Sequence, residues 1–129
     1  MFKRTILGDL KRWAAQPDRK PLILRGARQV GKTTAVEIFS ADFDTYVHLD
    51  LERAEDAELF ERGLPVQELI QAIYLAKNVT PSKGRTLLFI DEIQNSAGAI
   101  AMMRQFYESA KDLHVIGAGS LLEIMIRDE

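Results

Sequence analysis

The chain has 129 residues, 47% hydrophobic and 28% charged, with a formal net charge of −2. That length supports one domain around one core, and the near-neutral charge excludes a general pull toward nucleic acid. There is no cysteine and no apolar run of membrane-spanning length, so a disulfide framework, a thiolate metal site and a membrane span are not expected.

The first twenty residues are locally basic, with Lys3, Arg4, Lys11, Arg12, Arg19 and Lys20 set against Asp9 and Asp18. MFKRTILGDLKRW has no uninterrupted apolar segment and no small-residue cleavage site, so it does not read as a secretory signal and a cytoplasmic location is expected. Residues 5–15 are predicted helical, because Ile6, Leu10, Trp13 and Ala14 recur at helical spacing. Pro17 and Pro21 punctuate the chain, and the apolar run at 22–25 suits a buried strand.

Residues 26–33 read GARQVGKT and fit G-x-x-x-x-G-K-[ST]. In such a loop, glycines allow successive backbone N–H groups to converge on phosphate oxygens. Here that cradle comprises Gly26, Ala27, Arg28, Gln29, Val30 and Gly31, with Thr34 following the motif. Lys32 would reach the terminal phosphates, and the hydroxyl of Thr33 would ligand Mg²⁺. The loop needs a strand before it and a helix after it. Ala35, Val36, Ile38 and Phe39 supply an apolar helical face, expected to lie on a sheet, and the helix is predicted to run to about residue 41.

Residues 42–44 read as a turn and 45–51 as a second strand. An acidic helical piece at 54–62 ends at Gly63, and Pro65 opens a helix whose apolar face is Val66, Leu69, Ile70, Ile73 and Tyr74. Residues 80–84 are a loop and 86–90 a third, apolar strand. Ser96 is predicted to cap a helix running to about residue 111, with Ile100, Met103, Phe106 and Tyr107 buried. A fourth strand at 113–117 runs into Ala118-Gly119-Ser120, and a further helix is predicted over 121–126. Strands alternating with helices predict an α/β architecture with a parallel sheet covered on both faces.

Asp91 and Glu92 directly follow the third strand, at the carboxyl edge where open α/β sheets bind ligands. Asp91 is placed to hold Mg²⁺, the Walker B role to the Walker A role of the loop, and Glu92 to activate water. Ser120 would sense the γ-phosphate or position water. Gln94 and Asn95 read as capping or surface residues, and His48 and His114 as structural.

GARQVGKTT, LLFIDEIQ and HVIGAGSLLE, in this order, resemble a prokaryotic AAA-type ATPase family across essentially the whole chain. The resemblance implies a three-layer P-loop NTPase sheet, parallel strands in order 1-4-3-2, and an Mg-ATP hydrolase. By it, residues 1–20 are an N-terminal helix and linker, and 21–129 the nucleotide-binding core. It assigns ATP and Mg²⁺ to Lys32 and Thr33, metal support to Asp91, catalysis to Glu92 and the first sensor position to Ser120. In that family a fifth strand, an arginine finger, a helical lid and a C-terminal domain follow. The chain stops at Glu129, so it reads as a truncated part whose turnover needs an arginine from elsewhere.

Two other functions share these motifs: a nucleotide-dependent switch that binds a protein partner with little turnover, and a small-molecule kinase. The basic N-terminus facing the acidic residues between Asp50 and Glu61 is one basis for self-association. A DNA role has no recognition helix or basic stripe to support it.

Overall fold

A computed structural model of the chain describes residues 2–25, 30–80 and 83–119. In chain order the elements are α1 (Phe2–Ala14), β1 (Leu22–Arg25), α2 (Val30–Phe39), β2 (Thr45–Asp50), α3 (Ala54–Leu59), α4 (Val66–Ala76), β3 (Thr86–Asp91), α5 (Ala97–Ser109) and β4 (Leu113–Gly119). Short 3-10 turns at Ser40–Asp42 and Ile93–Asn95 complete them. None of the described helices is long and apolar enough to cross a membrane.

The strands form one sheet in the order β1-β4-β3-β2, and every pairing is parallel. Both the α/β class and the 1-4-3-2 order match the sequence expectation. Each successive strand is reached through helical chain, as a parallel pairing requires. The ladder runs in register from Thr45↔Thr86 to Asp50↔Asp91 on one side of β3, and from Thr86↔Leu113 to Ile90↔Gly117 on the other.

Strand alternation then divides the core in two. Leu88, Ile90 and Val115 join Val47 and Leu49 under α4 and α5, where Leu69, Ile73 and Phe106 pack. Leu87, Phe89, Ile116 and Ala118 face the other way, onto Leu10 and Trp13 of α1 and Val36 and Phe39 of α2. Three layers result, with β3 and β4 buried on both faces. Phe39, Phe89 and Phe106 are each at most 2% exposed, and burying a side chain of that size stabilises by about 1.5–3 kcal/mol.

Some local expectations change. Ile38, placed on the packed face from its spacing, is among the exposed large apolar side chains, while Ala35, Val36 and Phe39 make the contact. The sheet meets α2 along a narrower stripe than the run of apolar letters implies. β4 continues two residues further, to Gly119, because β1 pairs with it as far as Arg25↔Gly119. Ser96 does cap α5, its Oγ accepting the N–H of Ala99 at 3.1 Å. The helix expected over 121–126 lies outside the described residues.

Candidate functional site

Residues 26–29 of the GARQVGKT run, and Ser120, lie outside the described residues. What flanks the run is clear. β1 ends at Arg25, and α2 begins at Val30 with Gly31 and Lys32 in its first turn. A strand before the run and a helix at its end thus flank it, in the order that a phosphate cradle at a helix N-terminus needs.

β3 delivers the carboxylates. On this strand Leu87 and Phe89 face α1 and α2, so by alternation Asp91 points to the same side. There its Oδ2 lies 3.5 Å from Oγ1 of Thr33 on α2, a residue 58 positions earlier. That distance is long for a hydroxyl hydrogen bond. It is close to the spacing of about 3 Å that neighbouring oxygens adopt around octahedral Mg²⁺ at 2.0–2.1 Å. A hydroxyl and a carboxylate are also hard donors, the type Mg²⁺ takes alongside substrate phosphates. The two residues fit that cation. Thr34, the next residue of α2, is partly exposed.

The other carboxylate oxygen is already engaged. Asp91 Oδ1 accepts the backbone N–H of Glu92 at 2.9 Å. Glu92 itself stands in the left-handed region, with φ 55° and ψ 45°. A residue with a Cβ meets a penalty on the order of 1 kcal/mol or more there. The bonds around it offset that penalty. The carbonyl of Glu92 accepts Asn95 N–H at 3.1 Å, and Gln94 Nε2 donates to Glu92 Oε1 at 2.9 Å. The turn re-aims the chain just past the sheet, so Glu92 does not continue the strand's alternation. Gln94 therefore holds Glu92, rather than serving as the cap or surface residue expected. Asn95 reaches back to the carbonyl of Leu51 at 3.4 Å and so ties this turn to the end of β2.

His48, read from the sequence as structural, stands beside these residues. It lies on the α2 face of β2, diagonal to Asp91, and its Nε2 is 3.8 Å from Asp91 Oδ2. Its ring stacks on Phe89 at 5.0 Å and on Tyr46 at 6.3 Å. The Nε2 atom of His48 and the hydroxyl of Tyr46 are buried with no hydrogen-bond partner among the described residues. Burial, aided by the charges of Glu37 and Asp91, pushes the Tyr46 phenol well above its usual range. Tyr46 is thus a neutral wall to the site. No one-dimensional spacing would have paired His48 with Asp91, because β2 and β3 meet only through the long α3–α4 crossover.

Residues 18–129 match the model of the AAA domain family. The chain belongs to that family. The match begins ahead of β1 and includes the loop, β3 and β4; α1 precedes it, so the resemblance is narrower than the whole chain. AAA domains are nucleotide-binding, ATPase-type domains that generally take ATP with Mg²⁺ and often oligomerise. No curated protein matches the chain in sequence.

Proposed function

We propose that this AAA domain binds Mg-ATP and hydrolyses it, in the cytoplasm, to drive a conformational task in a protein partner or a neighbouring copy. The observation that carries the reading is the approach of Thr33 to Asp91, at 3.5 Å, at the carboxyl edge of the sheet and directly after the loop. A strand-end carboxylate and the motif's hydroxyl come together there from opposite halves of the chain.

In this reading the backbone amides of residues 26–31 and the ammonium of Lys32 bind the phosphates. Thr33 and Asp91 would hold the Mg²⁺, which when bound neutralises charge on the phosphate oxygens. Glu92 accepts a proton from water as the water oxygen attacks the γ-phosphorus in line, and ADP leaves as the bond to the bridging oxygen breaks. Gln94 and the left-handed turn hold the half-buried Glu92 carboxylate beside the sheet edge. The adjacent pair Asp91-Glu92 divides metal support from base chemistry, which favours water over another acceptor and so hydrolysis over a kinase reaction.

Two variants test it. Lys32→Ala is expected to abolish binding of a fluorescent ATP analogue, and Glu92→Gln to keep binding while losing phosphate release. In the full-length protein, a Glu92→Gln variant that releases phosphate at the parent rate would remove Glu92 from the role of base, and tight ATP binding with no release above background would instead support the switch.

A further inference from the structure

The other end of the sheet carries a second concentration of charge that the nucleotide reading does not use. Arg19 precedes β1, Arg85 precedes β3, and His114 is the second residue of β4, so all three gather at the amino edge of the parallel sheet. Arg19 Nη2 donates to the carbonyl of Lys111 at 2.8 Å and contacts His114 Nδ1 at 2.9 Å. Its Nε is buried without a partner among the described residues. Arg85 lays its guanidinium 4.4 Å from the centre of the Phe43 ring. Among the described residues neither guanidinium has a carboxylate within ion-pair distance.

Arg19 is half-buried and Arg85 is exposed, so two positive charges face this edge and would attract an arriving counter-charge. Their effect is felt locally. His114 is driven down to about 4 by burial and then by the charges of Arg19 and Arg85, so it stays neutral and offers a lone pair to Arg19. Arg19 is itself lowered, by burial and by Arg85, with Asp112 opposing as the lesser effect.

Two cavities meet at these arginines, and their linings decide between them. The larger, about 1030 Å³, adds Lys83 and Lys111 but also Asp44, Glu108 and Asp112. Lys111 there is already paired with Asp18 at 2.8 Å. That cavity is close to balanced. The smaller, about 540 Å³, is lined by Lys11, Arg19 and Arg85 against Asp42, with Phe39 and the end of α1 as apolar walls. Its volume suits a small ligand. Of the carbonyls at the end of α1, that of Lys11 is taken up by the amide of Ala15 and that of Ala14 is engaged by His114.

We propose that Arg19, Arg85 and Lys11 form an oxyanion site, for a phosphate or carboxylate group of a small ligand, at the sheet end opposite the nucleotide. Guanidiniums are suited to this because their fixed forks of donors match the oxygens of both groups. The basic N-terminal segment then has a specific use: it brings Lys11 and Arg19 from sequence into one pocket with Arg85. The site does not depend on the ATPase reading.

The test is an NMR titration of the whole chain, following the Arg85 side-chain Nε–H and the His114 ring at constant ionic strength. Sodium phosphate and sodium citrate serve as separate probes, with sodium chloride as the control. Saturable shifts are expected with at least one of the two, and equally in Lys32→Ala, which separates this site from any phosphate held by the nucleotide loop. Saturation by phosphate alone identifies a phosphoryl ligand, and by citrate alone a carboxylate. Arg85→Gln, which keeps the backbone N–H that Asp44 accepts at 2.7 Å, is expected to weaken binding at least tenfold. Lys11→Gln, on the exposed face of α1, is expected to weaken it severalfold without touching the fold. Shifts no different from the chloride control with both probes, or saturation unchanged in both variants, would overturn the site.

Discussion

His114 offers the most quantitative check on the tertiary structure. Its side chain is 6% exposed, edge-on to Trp13 at 5.8 Å and to Phe43 at 4.9 Å. Burial, then the Arg19 and Arg85 charges, lower it from 6.5 to about 4, while the carbonyls of Ala14 and Asp112 oppose. The unfolded chain therefore binds this proton at a higher pH than the folded one. Stability from the neutral ring is complete above 6.5 and is lost as pH falls through the window from 6.5 to about 4. Linkage with these two values gives a loss of about 1.4 kcal/mol at roughly pH 5.5 and about 2 kcal/mol at roughly pH 5. With a urea slope of about 1–3 kcal/mol/M, the first of these lowers the midpoint by about 0.5–1.4 M. Urea denaturation at a series of pH values would measure it. His114→Phe keeps a ring between Trp13 and Phe43 but cannot titrate. Its own stability is expected to be lower, with the acid-side drop smaller by the same 1–2 kcal/mol or so. His48 and the carboxylates are common to both proteins, so the difference isolates His114. An NMR titration that finds the His114 ring near 6.5, or equal acid slopes in the two proteins, would refute the buried, arginine-flanked placement.

Gly98→Ala is expected to destabilise, although alanine is the better helix former by about 1 kcal/mol. A Cβ at 98 would stand 2.5 Å from the carbonyl oxygen of Phe60, and forcing main chain apart costs about 1–3 kcal/mol; a urea midpoint equal to or above the parent's would show that α5 does not lie this close to the end of α3. Lys77→Ala should lose about 2–3 kcal/mol by chemical denaturation. It strips the partner at 2.8 Å from Asp56, a carboxylate only 4% exposed. The figure is set below the 3–5 kcal/mol of a fully buried pair because Lys77 is itself partly solvated. Thr33→Ala should bind ATP about tenfold more weakly in Mg²⁺, roughly the 1.5 kcal/mol of one charge-assisted contact, yet match the parent in EDTA; equal Mg²⁺ enhancement in both proteins would argue against the hydroxyl as a metal ligand.

Most of the architecture was legible in one dimension because it depends on local periodicity. The uninterrupted apolar run Leu87 to Ile90 suits a strand buried on both sides. The stripe Ile6, Leu10, Trp13 and Ala14 suits a helix with one packed face. GARQVGKT and the pair Asp91-Glu92 were visible for a related reason: the phosphate and cation chemistry proposed for them would restrict which residue types can stand at adjacent positions. Ile38 was misread because spacing alone does not say how wide a stripe the sheet covers. The role of Gln94 was underrated because it depends on Glu92 adopting a left-handed backbone, which nothing in the letters DEIQ requires.

By itself, then, the sequence determined the alternation of strands and helices, the parallel sheet they imply, and which motif and carboxylates stand at its carboxyl edge. Tertiary structure alone decided the partnerships across that sheet. Thr33 met Asp91, and His48 came beside them, because β2, β3 and α2 converge on one face. Arg19 met Arg85 and His114 because parallel strands start at a common edge. Such contacts join residues tens of positions apart. They are set by strand order and register, which emerge from packing the whole core and not from any local run of residues.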